Sequence, residues 1–339
     1  MNPVLPVGKL PPELLARLLL QTPTFDSRVL LGPGIGLDCA VVEYGEKCLV
    51  LKTDPITFAT DQIGWYAVQV NSNDIATSGA DPRWMLLTVL LPVGKSTAEL
   101  AEEIFGQVYE ACKKHEISVI GGHTEITSGI DRVIIVATMI GEVDRHKLVT
   151  PRGAQPGDSL LLTKVIPIEA TALIAREFPS ILRIVLTPDE VQLAENYLHD
   201  PGISILRDAK IALASGRVTA MHDPTEGGLA AALWELAEAS QVSISIDADA
   251  IPIPKLSRRI CQAVGLEPLA SIASGALLLA VEADNAEAIR SSLIKEKILC
   301  THIGNIGLPP VGVLIKQSSS SAGILLPRPD RDAITKLYE

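Results

Sequence analysis

Residues 71–84 read NSNDIATSGADPRW, and the interpretation of this stretch decides the fold. Upstream, Ile63, Tyr66, Ala67 and Val70 recur at helical spacing, and Ile75 and Ala76 carry the pattern to a stop at Gly79. Asn71, Asn73 and Asp74 therefore fall inside a helix, where each costs about 0.5 kcal/mol against alanine. Three such residues within four positions point to a polar task. The competing reading is a solvated helix face. Downstream, residues 84–91 form a continuous apolar run, which predicts a strand covered on both sides.

Working outward, residues 48–51 and 133–140 are further β-rich apolar runs, the second with Val and Ile on both faces. Residues 96–114 predict a helix opened by a Ser96/Glu99 capping box, with Leu100, Ile104, Val108 and Ala111 on one face. The polar stretch DRHKLVTPRGAQPGD at 144–158 marks a domain boundary. Beyond it, strands are expected at 159–163, 218–221, 242–246 and 276–281. Helices are expected at 169–178, from Thr187 with Pro188 and Glu190 in its first turn, at 228–239 and at 285–294. Four serines at 318–321 read as a flexible turn. Residues 329–339 read as a short helix, with Asp330 and Asp332 in its first turn and Ile334 and Leu337 on one face.

The composition narrows the partners. The 339 residues carry 29 Lys and Arg against 40 Asp and Glu, a net charge of −11, which opposes binding to a nucleic acid through its phosphates. Small anions remain available to loops and helix N-termini. Cys39, Cys48, Cys112, Cys261 and Cys300 form no CxxC pair and read as reduced, structural thiols of a cytoplasmic protein. Residues 14–20 are apolar but interrupted by Arg17, a surface helix rather than a signal peptide. The longest apolar runs fall far short of the ~20 residues that span a bilayer, so no membrane partner is expected.

Common catalytic loops are missing. There is no GxxxxGK[ST], GxSxG or HExxH. Gly32, Gly34 and Gly36 crowd together, but Leu37 stands where a third glycine is needed, and the run precedes the first clear strand, so a dinucleotide fingerprint is rejected. What remains is acidic: Asp38 in GPGIGLDCAVV, Asp54 ending a strand in LVLKTDPITF, Asn73 and Asp74, and Glu125 in VIGGHTEITSG. Hard oxygen donors without Cys or His suit Mg²⁺ bridging to phosphates. Gly121 and Gly122, after a strand at 117–120, would turn backbone N–H groups toward an anion. The competing readings make Asp38 and Asp54 turn or cap residues and His123 an ordinary loop histidine. In MHDPTEGGLAAALWELAEA, a strand ends near Met221, a polar turn runs from Asp223 to Glu226, and Gly227 and Gly228 open an amphipathic helix. That turn is either an anion site at a helix N-terminus or a helix capped by Thr225 or Asp223.

In order, GIGLDCAVV, KTDPITF, NSNDIATSGADPRW, VIGGHTEIT, GDSLLLTK, MHDPTEGGLAAAL and GLEPLASIASGALLLAVE resemble the aminoimidazole ribonucleotide (AIR) synthetase superfamily. Within it they look like the HypE hydrogenase-maturation proteins. Thiamine-monophosphate kinase, selenophosphate synthetase and formylglycinamide ribonucleotide amidotransferase are other members. The resemblance implies a PurM-like α+β fold of two domains. The N-terminal sheet would form an intersubunit β-barrel in a homodimer, beside a C-terminal α/β domain. The corresponding segments are 1–35 as helix and glycine-rich lead-in, 36–150, 151–326, and 327–339 as C-terminal helix.

The resemblance further implies ATP and Mg²⁺, with the γ-phosphoryl group passing to an oxygen of a small substrate. Asp38, Asp54 and Asp74 match the metal-binding acidic positions, and Asn73 their partner. Gly121, Gly122, Thr124, Glu125, Thr225 and Gly227 match further binding positions, and Asp74, His123 and Asp223 are the catalytic candidates. Several positions depart from the family. The chain ends ITKLYE, without the terminal cysteine on which HypE carries a carbamoyl group, so no such carrier is expected. His123 stands where the relatives are acidic, Leu37 precedes Asp38, and Glu226 replaces an arginine of HypE. A thiamine-monophosphate-type kinase, or a nucleotide-binding maturation partner without turnover, are the alternatives.

Overall fold

The computed structural model describes residues 4, 5, 7–316 and 323–339, so the serine tract at 318–321 lies outside the described residues. The chain divides into two compact units: Asp26–Gly32 with Asp38–Leu148, and Met1–Phe25 with Pro33–Leu37 and Val149–Glu339.

In the first unit, Val, Ile and Leu at alternate positions build three long strands, β3 (Lys47–Ile56), β4 (Asp81–Pro92) and β6 (Ile134–Asp144). β6 lies antiparallel between the other two. β2 (Ala40–Tyr44) and β1 (Val29–Leu31) extend one side, and β5 (Ser118–Thr127) closes the other in parallel with β4, giving the order β1-β2-β3-β6-β4-β5. α2 (Ile63–Thr77) packs on β3 and β6, and α3 (Ala98–Lys114) packs on α2 and β5. Burial along β6 alternates strictly, because the helices cover one face. On the other face Leu86, Leu90, Ile134, Val136 and Ile140 are half-buried or exposed. The expectation of strands covered on both faces is thus corrected for the single chain.

Three local expectations also shift. β1 comes from the expected lead-in and precedes the glycine run. A dinucleotide fingerprint stays excluded because β2, not a helix, follows. The α3 cap is Thr97, whose Oγ1 accepts from Leu100 N at 3.2 Å, while Ser96 Oγ donates to Pro92 O. β5 does not stop at residue 120. It runs through Gly121, Gly122, His123, Thr124 and Glu125 in register with Leu86–Leu90 of β4. A Cβ at Gly122 would meet Leu87 O at 1.9 Å, so glycine serves strand approach there rather than an anion loop.

The second unit is a seven-stranded sheet in the order β13-β12-β9-β11-β7-β10-β8. Its strands are β7 (Ser159–Thr163), β8 (Val218–His222), β9 (Ser243–Asp247), β10 (Leu278–Val281), β11 (Cys300–Gly307), β12 (Gly312–Lys316) and β13 (Ile324–Leu325). All neighbours are antiparallel except β9 and β12. α8 (Gly228–Ser240) buries Leu229, Leu233 and Leu236 with Ile244, Ile246, Leu278 and Val313. α10 (Ala286–Lys295) packs on β7 and β11 with α7 (Leu206–Ser215) beside it. β7 is buried at all five positions, its three leucines flanked by the buried hydroxyl residues Ser159 and Thr163.

α4 (Ile168–Glu177) contacts α5 (Pro179–Leu182), α6 (Pro188–Glu195) and α9 (Lys255–Ala263), and α1 (Pro12–Leu19) lies near the N-terminus. α6 opens with a capping box between Thr187 and Glu190. The expected C-terminal helix shortens to a 3₁₀ turn, Ala333–Leu337, with Asp332 outside it as the cap. All five cysteines are buried free thiols. No helix among the described residues is long and apolar enough to cross a membrane.

Candidate functional site

Strand parity on β3 aims Val50, Lys52 and Asp54 at α2, because side chains two apart share a face. Asp54 lies inside the strand opposite Ala137, not at its end. On α2, Asn71, Ser72, Asn73 and Asp74 are all buried, which removes the solvated-face reading. Lys52 Nζ sits 2.9 Å from Asp74 Oδ2 and 3.1 Å from Asp54 Oδ2. Burial works against its charge, yet Asp74, Asp54 and Asp38 outweigh that cost and hold its pKa well above the usual lysine value.

Hydrogen bonds fix this arrangement. Asn71 Oδ1 accepts from Asp54 N at 3.0 Å and its Nδ2 donates to Ala67 O at 2.9 Å, tying β3 to α2. Asp74 O accepts from Cys39 Sγ at 3.1 Å and from Thr77 Oγ1 at 2.7 Å. Thr77 Oγ1 also lies 3.5 Å from Asp38 Oδ2, bringing the segment after the glycine run to the end of α2. Asp54 and Asp74 thus pair with one ammonium, and the charge of Asp38 acts on it from beside Thr77.

His123 and its neighbours do not join them. His123 Nε2 lies 3.1 Å from Glu125 Oε2, and both side chains are exposed. β5 is three strands from β3 in the sheet order, about 14 Å at ~4.8 Å per strand. Gly121, Gly122, His123, Thr124 and Glu125 therefore belong to the open sheet edge of the chain, away from the aspartates.

In the second unit β8 ends at His222, whose Nε2 is 2.8 Å from Glu235 Oε2 on α8. Burial opposes the charge of Glu235, but the His222 hydrogen bond and charge, with Lys9 and Arg328, pull its pKa down to about 2. Asp223 follows, fully buried. The helix is capped neither by Thr225 nor by Asp223. Gly227, at φ 83°, is the N-cap residue, and its N–H donates to Asp332 Oδ2 at 2.6 Å. Thr225 contributes its carbonyl to Gly228 N at 2.9 Å, and Glu226 pairs with Lys9 at 2.7 Å.

Sequence reasoning missed Lys52, His222, Glu235 and Asp332. Lys52 had a signal: a lysine with the parity of Val50 and Asp54 points inward and needs an anionic partner. Glu235 and Asp332 had none, since their partners are 13 and 105 residues away.

Residues 36–143 match the family described as AIR synthase related protein, N-terminal domain, and residues 155–315 match its C-terminal domain. The chain belongs to the AIR synthase related family. This AIR synthase related protein is 34% identical to a putative hydrogenase expression/formation protein of Methanocaldococcus jannaschii, over 83% of this chain and 82% of that protein. It is 28% identical to the carbamoyl dehydratase HypE of Cupriavidus necator, over 72% of this chain and 68% of that one. Its fold is that of HypE solved in complex with ATP, at a TM-score of 0.71 and 22% identity, covering 95% of this chain and 91% of that chain. It is also that of AaThiL complexed with AMPPCP and TMP, at 0.68 and 24%, covering 87% and 92%. The two units are therefore the two domains of a PurM-like α+β fold.

Proposed function

We propose that this protein binds Mg-ATP on its N-terminal unit and transfers the γ-phosphoryl group to an oxygen of a small substrate. The pairing of Asp54 and Asp74 with Lys52, with the charge of Asp38 acting on the same ammonium, carries this reading. Two carboxylates on one ammonium, with a third acting on it, leave an excess of negative charge that a divalent cation neutralises better than a monovalent one. The donors are hard oxygens, the set that Mg²⁺ prefers. Asp38, Asp54 and Asp74 would hold the metal, and Asn73 lies buried on the same turn of α2 as Asp74. When bound, Mg²⁺ supplies neutralisation of phosphate charge.

Lys52 stays charged across the physiological range and is the group available to a phosphate oxygen once the carboxylates turn to metal. Asp74, held by its own buried helix, orients this set. In the C-terminal unit, Asp223, Thr225 and Gly227 form the second set of binding residues, with Asp223 as a catalytic candidate. His123, Thr124, Glu125, Gly121 and Gly122 act where two copies meet, because their strand is an open edge. A homodimer and a protein partner in a maturation pathway complete the proposal. The similarity to HypE, solved in a HypE-HypF complex, supports the partner.

The relatives named carbamoyl dehydratase favour a carboxamide oxygen as acceptor. The kinase-like neighbour, complexed with TMP, favours an existing phosphate as the second reading. Calorimetry should give Mg²⁺-dependent ATP binding. Asp74→Ala should weaken it at least tenfold, and Asp247→Ala at the end of β9 should leave it unchanged. Equal effects would overturn the assignment. ADP formation from ATP, assayed with carboxamides and with thiamine monophosphate, then separates the two acceptors, since transfer to an existing phosphate yields ADP without free phosphate. Binding without turnover would leave a nucleotide-dependent partner.

A further inference from the structure

The last described segment of the chain lies along α8 from one end to the other. Leu326 is buried and accepts from Trp234 Nε1 at 3.0 Å, and Arg328 pairs with Glu238, both in the C-terminal half of the helix. Pro329 then lies against Gly227, and Asp332 reaches the helix N-terminus. Asp332 Oδ2 takes the Gly227 amide hydrogen at 2.6 Å, and its Oδ1 takes that of Ile334 at 2.7 Å. Ala333, Ile334 and Thr335 are buried beside it, and Tyr338 packs edge-on against Phe178 at 5.4 Å. No side chain of the DPTEGG turn caps α8, so the carboxylate of Asp332 does so from 105 residues away.

We propose that Asp332 is a positioning residue: residues 326–338 form a strap that sets the backbone of the 223–228 turn through the Gly227 amide. The inference rests on the reading that Asp223, Thr225 and Gly227 bind ligand, since a strap holding an idle turn would do no more than stabilise. Its consequence is that ligand affinity at the turn depends on whether the strap is docked.

The charge balance gives the strap a pH response. The groups acting on Asp332 are Glu226 on the turn and Glu169 on α4. Lys9 is spent on Glu226, and on the strap itself Arg331 is taken by Glu339. Burial, against three backbone hydrogen bonds, pushes the Asp332 pKa up to about 6. A released strap returns it to ~3.9. The docked state therefore holds the proton more tightly, so docking weakens as pH rises through the docked pKa. Between pH 5 and pH 8 the docking equilibrium falls about tenfold.

The test is amide hydrogen exchange across residues 223–231, corrected for intrinsic rates, in the full chain. Both arms carry Glu169→Gln so that its titration does not overlap. Opening at Gly227 should increase about tenfold from pH 5 to pH 8, and Asp332→Asn, which turns a donor toward one of the two N–H groups, should raise it at least tenfold and abolish the pH dependence. Asp330→Asn, an exposed neighbour, should change nothing, and β10 serves as the reference for global folding. A flat profile in the chain carrying Asp332, which needs no Asp332 variant to fold, overturns the proposal, as does unchanged exchange in Asp332→Asn. Calorimetry with Mg-ATP and with thiamine monophosphate on the same variant separates the readings: a loosened turn with weakened binding supports the positioning role, and a loosened turn with unchanged binding overturns it and counts against Asp223 and Thr225 as ligand residues.

Discussion

Lys52 and Glu169 solve the problem of a buried ionisable group in opposite ways. Lys52 keeps its charge because carboxylates surround it. Glu169, on α4 and 5% exposed, gives its charge up. Burial pushes its pKa to about 8, Ser274 opposes that by hydrogen bonding, and the charges of Glu226 and Asp332 add to it. Its folded pKa thus lies above the unfolded value near ~4.3, so the native state binds the extra proton. The stability this contributes is present below the unfolded pKa and is lost as pH rises through 8. Glu169→Gln, an isosteric mimic of the protonated acid, should remove that loss. Thermal melts at pH 6 and pH 9 should show the parent chain dropping with pH by the equivalent of a few kcal/mol and the variant staying nearly level. Parallel curves would show that Glu169 is charged in the fold. Nothing in the sequence marks Glu169, because its surroundings come from the 226, 274 and 332 regions.

At the scale of elements, α2 owes its place to a gap in β6. A Cβ at Gly141 would meet Ile75 Cγ2 at 2.3 Å and Asp81 O at 2.8 Å, so only glycine lets the helix come this close. Ile75 follows Asp74 directly, which makes the sheet spacing part of the carboxylate geometry. Gly141→Ala should lift the C-terminal end of α2, destabilise the fold by about 1–3 kcal/mol and weaken Mg²⁺-dependent nucleotide binding. Denaturant midpoints and calorimetry check both effects, and a loss of stability with unchanged binding would uncouple the helix position from the site. The helix itself was legible, since its apolar period and the stop at Gly79 survive the polar insertions. The burial of its polar positions was not, because Asn71 and Asp74 are tolerated inside only through partners on β3.

For the whole molecule, the informative surface is the helix-free face of the first sheet. Leu86 is 38% exposed and Leu90, Ile134, Val136 and Ile140 flank it on β4 and β6, an apolar face that water penalises. Pairing of two copies through the sheet of residues 45–143 should bury more than ~2,000 Å². Sedimentation at micromolar concentration should give a dimer. Leu86→Glu should convert it to a monomer with its thermal transition retained, and a 36.1 kDa species from the parent chain would sink the pairing.

Most of the long strands and helices followed from the sequence alone, because apolar period, capping residues and glycine stops act over a few neighbours, while β1, β2, α7, α9, β11 and β12 did not. Asp38, Asp54 and Asp74 were visible as candidates as well, since carboxylates at the ends of apolar segments or inside a helical pattern stand out against their surroundings. Only the tertiary structure decided that Lys52 joins Asp54 to Asp74, that His123 lies on a distant edge strand, and that α8 is capped by Asp332. Each of these depends on which strands become neighbours and on contacts between residues far apart in the chain. Local propensity carries no record of such distances, and burial assigns each of these groups its partner only once the chain has closed on itself.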